Sequence, residues 1–136
     1  MTLLTDFLKN NEEKEVRIAV VGDAMVDEYF YTSVKRISPE FPIPIIQTPN
    51  QRPDYLLPGG AANVAYQMRN FNIECSLFSL IDSYSLDIFK KSGLNISNCT
   101  EMVYGFGHVP RKRRFYTKDF PMIRWDIEEP KYGLDD

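Results

Sequence analysis

Histidine and cysteine are scarce: His108 stands alone, and Cys75 and Cys99 are the only thiols in 136 residues. One histidine excludes a multi-histidine metal site, and two cysteines without CxxC spacing give neither a zinc site nor a disulfide framework. Both thiols are expected to be reduced and buried. No apolar run approaches the roughly 18 residues that suggest a membrane span, and the N-terminus lacks a basic region followed by an apolar signal stretch. No membrane partner is expected, and the cytoplasm is the default location. A net charge of −3 gives no global pull towards nucleic acid. Neither GxxxxGKS nor GxxxxGKT occurs, and GFGHVP lacks the third glycine of GxGxxG, so no self-sufficient nucleotide loop is visible. Internal repeats and low-complexity segments are absent too.

What remains is the composition of one globular core, 43% hydrophobic and 26% charged with nine prolines. Leu3, Leu4, Phe7 and Leu8 fall on one helical face, which predicts a short amphipathic helix over 2–10. VRIAVVGD (16–23) is a continuous β-branched run ended by glycine, the pattern of a buried central strand in a parallel sheet. The stretch 28–55 is rich in aromatics, β-branched residues and proline, and predicts two or three exposed strands apart from the main sheet. A helix is expected from Gly60 to Phe71, a second buried strand over 73–81, and a helix in SYSLDIFKKSG stopped by Gly93. TEMVY, KRRFYT and PMIRWDIE look like shorter strands. The order is that of an α/β fold with a β-rich excursion after its first strand.

In an open α/β sheet, ligands bind beyond the carboxyl ends of the strands. Gly22, Asp23 and Asp27 lie just past the first strand by that rule. A carboxylate there either accepts hydrogen bonds from a polyol or serves as a turn or cap residue. In GGAANVA (59–65), Gly59 and Gly60 leave backbone bare at the expected helix start, and Asn63 offers both a donor and an acceptor. A turn before a helix often carries glycine as well. VPRKRRFY (109–116) holds four consecutive basic residues. On a strand, Arg111 and Arg113 face one way while Lys112 and Arg114 face the other, so only half the cluster meets one ligand. That weakens a nucleic-acid reading, whose signature is strongly salt-dependent binding. RWDIE (124–128) puts Arg124, Asp126 and Glu128 on one face and Trp125 and Ile127 on the other, a half-buried strand with charge pairing and no assigned chemistry.

VVGDAMVDEYFY, RISPEFPIPII, PGGAANVA, and PRKRRFY followed by IRWDIE closely resemble, in this order and spacing, the N-terminal part of the ribokinase-like (PfkB) carbohydrate kinases. GD followed by D, then RISPE with a P-x-P step, is most similar to the D-glycero-β-D-manno-heptose 7-phosphate kinase branch. The resemblance spans about 16–128. It implies a Rossmann-like α/β sandwich with a small β-lid at about 28–55, within a single incomplete domain over 1–136. It further implies transfer of the γ-phosphoryl of ATP, with Mg²⁺, to a sugar hydroxyl, and a homodimer in which two lids pair. Asp27, Gly59, Gly60 and Asn63 would bind sugar hydroxyls. Arg36, Lys112 and Arg114 match basic positions of the branch, and guanidinium suits a sugar phosphate. The family's GAGD motif, which carries the catalytic base and the anion hole, has no counterpart in these residues, and IDSYSLD replaces its usual glycine-aspartate loop. The chain alone is therefore expected to bind a phosphorylated sugar, to hold no ATP or Mg²⁺, and to lack most of the catalytic rate. A noncatalytic sugar-phosphate binder or dimerising protein is the alternative.

Overall fold

The computed structural model describes residues 17–71, 73–101 and 107–128. In chain order these form β1 (Arg17–Val21), β2 (Ala24–Tyr31), β3 (Ser33–Ile37), β4 (Pro44–Gln47), β5 (Tyr55–Gly60) and helix α1 (Ala61–Met68), which ends in a tight turn over Arg69–Phe71. Then come β6 (Glu74–Phe78), β7 (Leu80–Ile81), helix α2 (Ser83–Lys91), β8 (Thr100–Glu101), β9 (Arg111–Thr117) and β10 (Phe120–Ile127). The helix expected over 2–10 lies outside the described residues.

Strands β1 and β6 pair in parallel, Ile18 opposite Cys75 and Val20 opposite Leu77. The largest sheet has the order β10-β9-β2-β5, with β2 and β9 parallel and its other two pairings antiparallel. Strands β3 and β4 form a separate hairpin, and β7 pairs briefly with β8. The core gathers Ala24 and Val26 from β2, Ala62 and Ala65 from α1, Leu77 and Ile81, and Ile88 and Phe89 from α2. Leu77 and Phe89 are fully buried, and each such side chain removed from water stabilises the fold by about 2–3 kcal/mol.

Local sequence explains both ends of α2. Asp82 caps it: its carboxylate accepts from the Ser85 N–H at 2.7 Å, while the Ser85 hydroxyl receives the Asp82 N–H at 3.0 Å. At the other end Gly93 adopts φ 71, its N–H reaching the Lys90 carbonyl and the Leu94 N–H reaching that of Phe89. That is the left-handed stop expected of this glycine.

Three differences from the sequence reading have physical causes. Strand β1 is parallel as expected but not buried: α1 covers the face bearing Ile18 and Val20, while Arg17, Ala19 and Val21 stay exposed on the other. The apolar run over 73–81 breaks at Ser79, whose hydroxyl accepts the Ala24 N–H and whose carbonyl accepts that of Thr100. The excursion after β1 is wider than 28–55. Its strands start at Ala24 and end at Gly60, and they recruit β9 and β10 because β2 offers β9 a full parallel ladder from Val26 to Tyr31.

Candidate functional site

The four-stranded sheet has two unlike faces, and β2 sets them apart. Ala24, Val26, Glu28 and Phe30 are buried on one face, while Met25, Asp27, Tyr29 and Tyr31 lie on the more open one. Register carries the alternation across to β9, with Asp27 beside Lys112, Glu28 beside Arg113 and Tyr29 beside Arg114. It then carries it to β10, where Asp126 stands opposite Lys112 and Arg124 opposite Arg114.

On the open face Arg114 donates from Nη2 to Asp27 Oδ1 at 2.9 Å. Asp27 Oδ2 is left facing Gly59: a methyl group on Gly59 would lie 3.1 Å from it. Gly59 is itself buried, and its lack of a side chain leaves the space that the Asp27 carboxylate occupies. Lys112 Nζ donates to Glu128 at 2.7 Å and to Asp126 at 3.4 Å. Arg124 grips Asp126 with Nε and Nη2, at 2.7 and 2.6 Å. The bond from Arg124, more than that from Lys112, holds the Asp126 carboxyl below its ordinary value of 3.8, and Glu128 raises Lys112. Three cations and three carboxylates therefore share this face. Their pairs are partly exposed, which makes each weak and exchangeable.

The packed face uses charge differently. Glu28 is 1% exposed and accepts from Arg113 Nε at 2.6 Å and from the Tyr84 hydroxyl at 3.0 Å. Burial, then the Glu28 charge and hydrogen bond, push the Tyr84 phenol up from 10.0 to about 12. Arg111 lies over the Tyr84 ring at 4.2 Å and 3.9 Å from Asp82. These contacts fasten the sheet to the start of α2 rather than offering a site.

Of the residues singled out from the sequence, Asp27, Gly59, Lys112 and Arg114 come together on the open face. Gly59 and Gly60 close β5, and Gly60 is also the N-cap of α1, so the helix starts at the double glycine as expected. Gly60 is exposed at φ 56, where a methyl group would lie 2.4 Å from the Asp23 carbonyl oxygen, so its glycine is a backbone necessity. Asn63 is exposed in the first turn of α1, its Oδ1 accepting from Gln67 at 3.4 Å. Arg36 lies on β3 in the separate hairpin, exposed, and forms no hydrogen bond or ion pair with the described members of the cluster. Arg124, Asp126 and Glu128, read from sequence only as a paired edge, belong to the same face as Asp27. Their alternation was visible; which face it met was not.

Among the described residues no group of three or more His, Cys, Asp or Glu side chains could hold a metal ion, and no helix is long and apolar enough to cross a membrane. Both described helix starts have amides already engaged within the chain. The start of α2 is occupied by the Asp82 carboxylate, and the first amide of α1, that of Ala61, is bound to the Asp23 carbonyl at 3.0 Å.

Comparison with solved structures bears on this topology. The nucleoside kinase of Methanocaldococcus jannaschii, an archaeal member of the ribokinase family, superimposes with a TM-score of 0.58 at 24% identity, over 82% of this chain and 36% of the kinase. Fructokinase with bound ATP from Xylella fastidiosa gives 0.55 at 15% identity, over 88% of this chain and 33% of that one. The bifunctional protein HldE of Haemophilus influenzae strain PittEE is 37% identical over 130 residues, 91% of this chain and 26% of the relative. The fold of the chain is ribokinase-like. No protein-family model matches it. This ribokinase-like chain spans about a quarter of the length of the curated relatives it matches. Within the 28–55 span that the sequence resemblance gave to the lid lie the end of β2 and the β3–β4 hairpin.

Proposed function

We propose that this ribokinase-like chain forms the sugar-binding and lid portion of an ATP-dependent carbohydrate kinase of the heptose 7-phosphate type. The observation that carries this reading is the junction on the open face of a hydroxyl acceptor, Asp27 in the space left by Gly59, with the cations Arg114 and Lys112. A polyol places hydroxyls on Asp27 beside Gly59, with Asn63 a further donor and acceptor at the start of α1. A phosphate at its far end meets Lys112 and Arg114.

In the whole reaction ATP with Mg²⁺ supplies the phosphoryl group. The residues described here bind and orient the sugar and exclude water from one side of it. Turnover by this chain alone is not expected. The second reading is a noncatalytic sugar-phosphate binder or dimerising protein. Pairing of two lids is supported by Leu56, Ile123 and Trp125, which lie exposed on the side of the sheet away from Asp27. The cytoplasm suits a kinase that draws on ATP.

Titration calorimetry with D-glycero-D-manno-heptose 7-phosphate, run beside a coupled ATPase assay, tests the proposal. Saturable binding that is lost in Gly59→Ala is expected, without turnover. Turnover by the chain would overturn the division of labour, and binding unaffected by Gly59→Ala would remove the site. Sedimentation at micromolar concentration checks the dimer, and a monomer there counts against lid pairing.

A further inference from the structure

We propose that Arg124 is a second anion-binding arginine beside Arg114, and that Asp126 is its built-in placeholder, released when the phosphate end of a sugar phosphate enters. The inference rests on the reading of Asp27 and Gly59 as the hydroxyl-binding end.

Arg124 stands directly opposite Arg114 in the β9–β10 ladder. Like charges in that position repel unless each is answered, and here Asp27 answers Arg114 while Asp126 answers Arg124. Both arginines line one hollow of about 320 Å³, with Tyr116, Pro121, Met122 and Ile123. The ladder is irregular between Pro121 and Ile123, and this bulge shapes one wall of the hollow. Its volume falls at the lower end of small-ligand sites, roughly 300–1,000 Å³, which suits a phosphoryl group and the carbons next to it. Arg114 borders both Asp27 and the hollow, and its Nε is buried without a hydrogen-bond partner. A ligand anchored by hydroxyls at Asp27 thus continues past Arg114 into the hollow.

The Arg124–Asp126 pair is made to be exchanged. It joins residues two apart on one strand, it is half open to water on the arginine side, and it holds no buried atom in place. A phosphate monoester brings up to two negative charges and three acceptor oxygens against the single charge of a carboxylate, so it wins a bidentate arginine. The apolar side chains of Pro121 and Met122 border the hollow beside the two arginines. Asp126 is not stranded on release, because Lys112 already lies 3.4 Å from its Oδ2. Lys112 then serves chiefly to receive Asp126, and Arg114 and Arg124 grip the phosphate.

Calorimetric titration of the chain with inorganic phosphate, with the unphosphorylated heptose and with its 7-phosphate tests this. Arg124→Ala is expected to weaken the 7-phosphate and inorganic phosphate roughly 10-fold or more while moving the unphosphorylated sugar by less than about 2-fold. Asp126→Asn, which keeps shape and removes the competing charge, is expected to tighten both phosphate probes by roughly 3-fold or more. Equal loss of both sugars in Arg124→Ala, or unchanged or weaker phosphate binding in Asp126→Asn, overturns the inference. If Arg114→Ala loses the phosphate and Arg124→Ala does not, the inference fails while the proposed function stands. If inorganic phosphate binds through Arg124 and neither sugar binds, the subsite stands and the hydroxyl-binding reading fails. A wild-type chain that binds none of the three probes overturns both. A thermal melt of each variant confirms that it folds.

Discussion

The run Arg111, Lys112, Arg113, Arg114 sends alternate side chains to opposite faces of one sheet, and the two faces use the same charges for different ends. On the packed face Arg113 neutralises a glutamate that water cannot reach. On the open face Arg114 and Lys112 meet carboxylates that water can reach. Breaking a buried pair leaves an uncompensated charge in a poor solvent, at a cost of about 3–5 kcal/mol, whereas an exposed pair contributes at most about 1 kcal/mol. The buried pairs therefore lock the sheet to α2, and the exposed ones form a reserve that a ligand can take over.

The neighbouring glycines give the largest test of that contrast. Gly60→Ala forces a left-handed φ on alanine and drives its methyl group into the Asp23 carbonyl, so a loss on the order of 4 kcal/mol, or failure to fold, is expected in urea denaturation. Gly59→Ala meets only the movable Asp27 carboxylate and the Met25 side chain. It is expected to cost about 1 kcal/mol of stability yet to abolish polyol binding. Similar stability losses in both would erase the distinction between a backbone necessity and a space kept for a carboxylate.

The arginines come next. Arg113→Ala leaves Glu28 buried with only Tyr84, and a loss of roughly 3 kcal/mol is expected. Arg114→Ala should cost about 1 kcal/mol or less in the same denaturation series, while weakening the sugar phosphate more than the free sugar. If the two variants were equally destabilised, the open face would be as structural as the packed one.

Tyr84→Phe sharpens the packed side through pH. The unfolded phenol ionises near 10.0, while burial and Glu28 keep the folded one protonated up to about 12. This contribution is complete below pH 10 and is lost as pH rises towards 12. Wild type should exceed Tyr84→Phe by about 1–2 kcal/mol at pH 7, from the hydrogen bond to a charged acceptor, with the gap closing by pH 12. A gap that stays constant across that range would remove Tyr84 from the Glu28 network.

Local signals in the sequence carried much of this architecture. Gly93 stops α2 because only glycine takes its φ without penalty, and the alternation of the basic run needed nothing beyond strand periodicity. Long-range pairing was the hidden part. That β9 joins β2, and that a bulge aligns Arg124 with Arg114, depends on register between segments some 85 residues apart in one case and on an irregular ladder in the other. Arg36, which the resemblance groups with Lys112 and Arg114, lies on β3 of the β3–β4 hairpin rather than on the four-stranded sheet. Asp82 was read as a departure from the family's loop, and its carboxylate is instead occupied by the Ser85 and Val109 amides, a structural cap.

The smallest expected effect probes the reserve itself. Arg124 first, and Lys112 second, hold the Asp126 carboxyl below 3.8, so its contribution to stability is present above that pH and fades as pH falls below it. Asp126→Asn should therefore soften the acid limb of the stability curve below pH 3.8 with little change in the plateau. Added salt should reproduce the softening in wild type, because exposed charges are screened over about 8 Å at physiological ionic strength. The Glu28 pair, shielded from water, should respond much less to the same salt. If Asp126→Asn instead lowered the plateau as Arg113→Ala does, Asp126 would be holding the sheet together and could not give up Arg124 to a ligand.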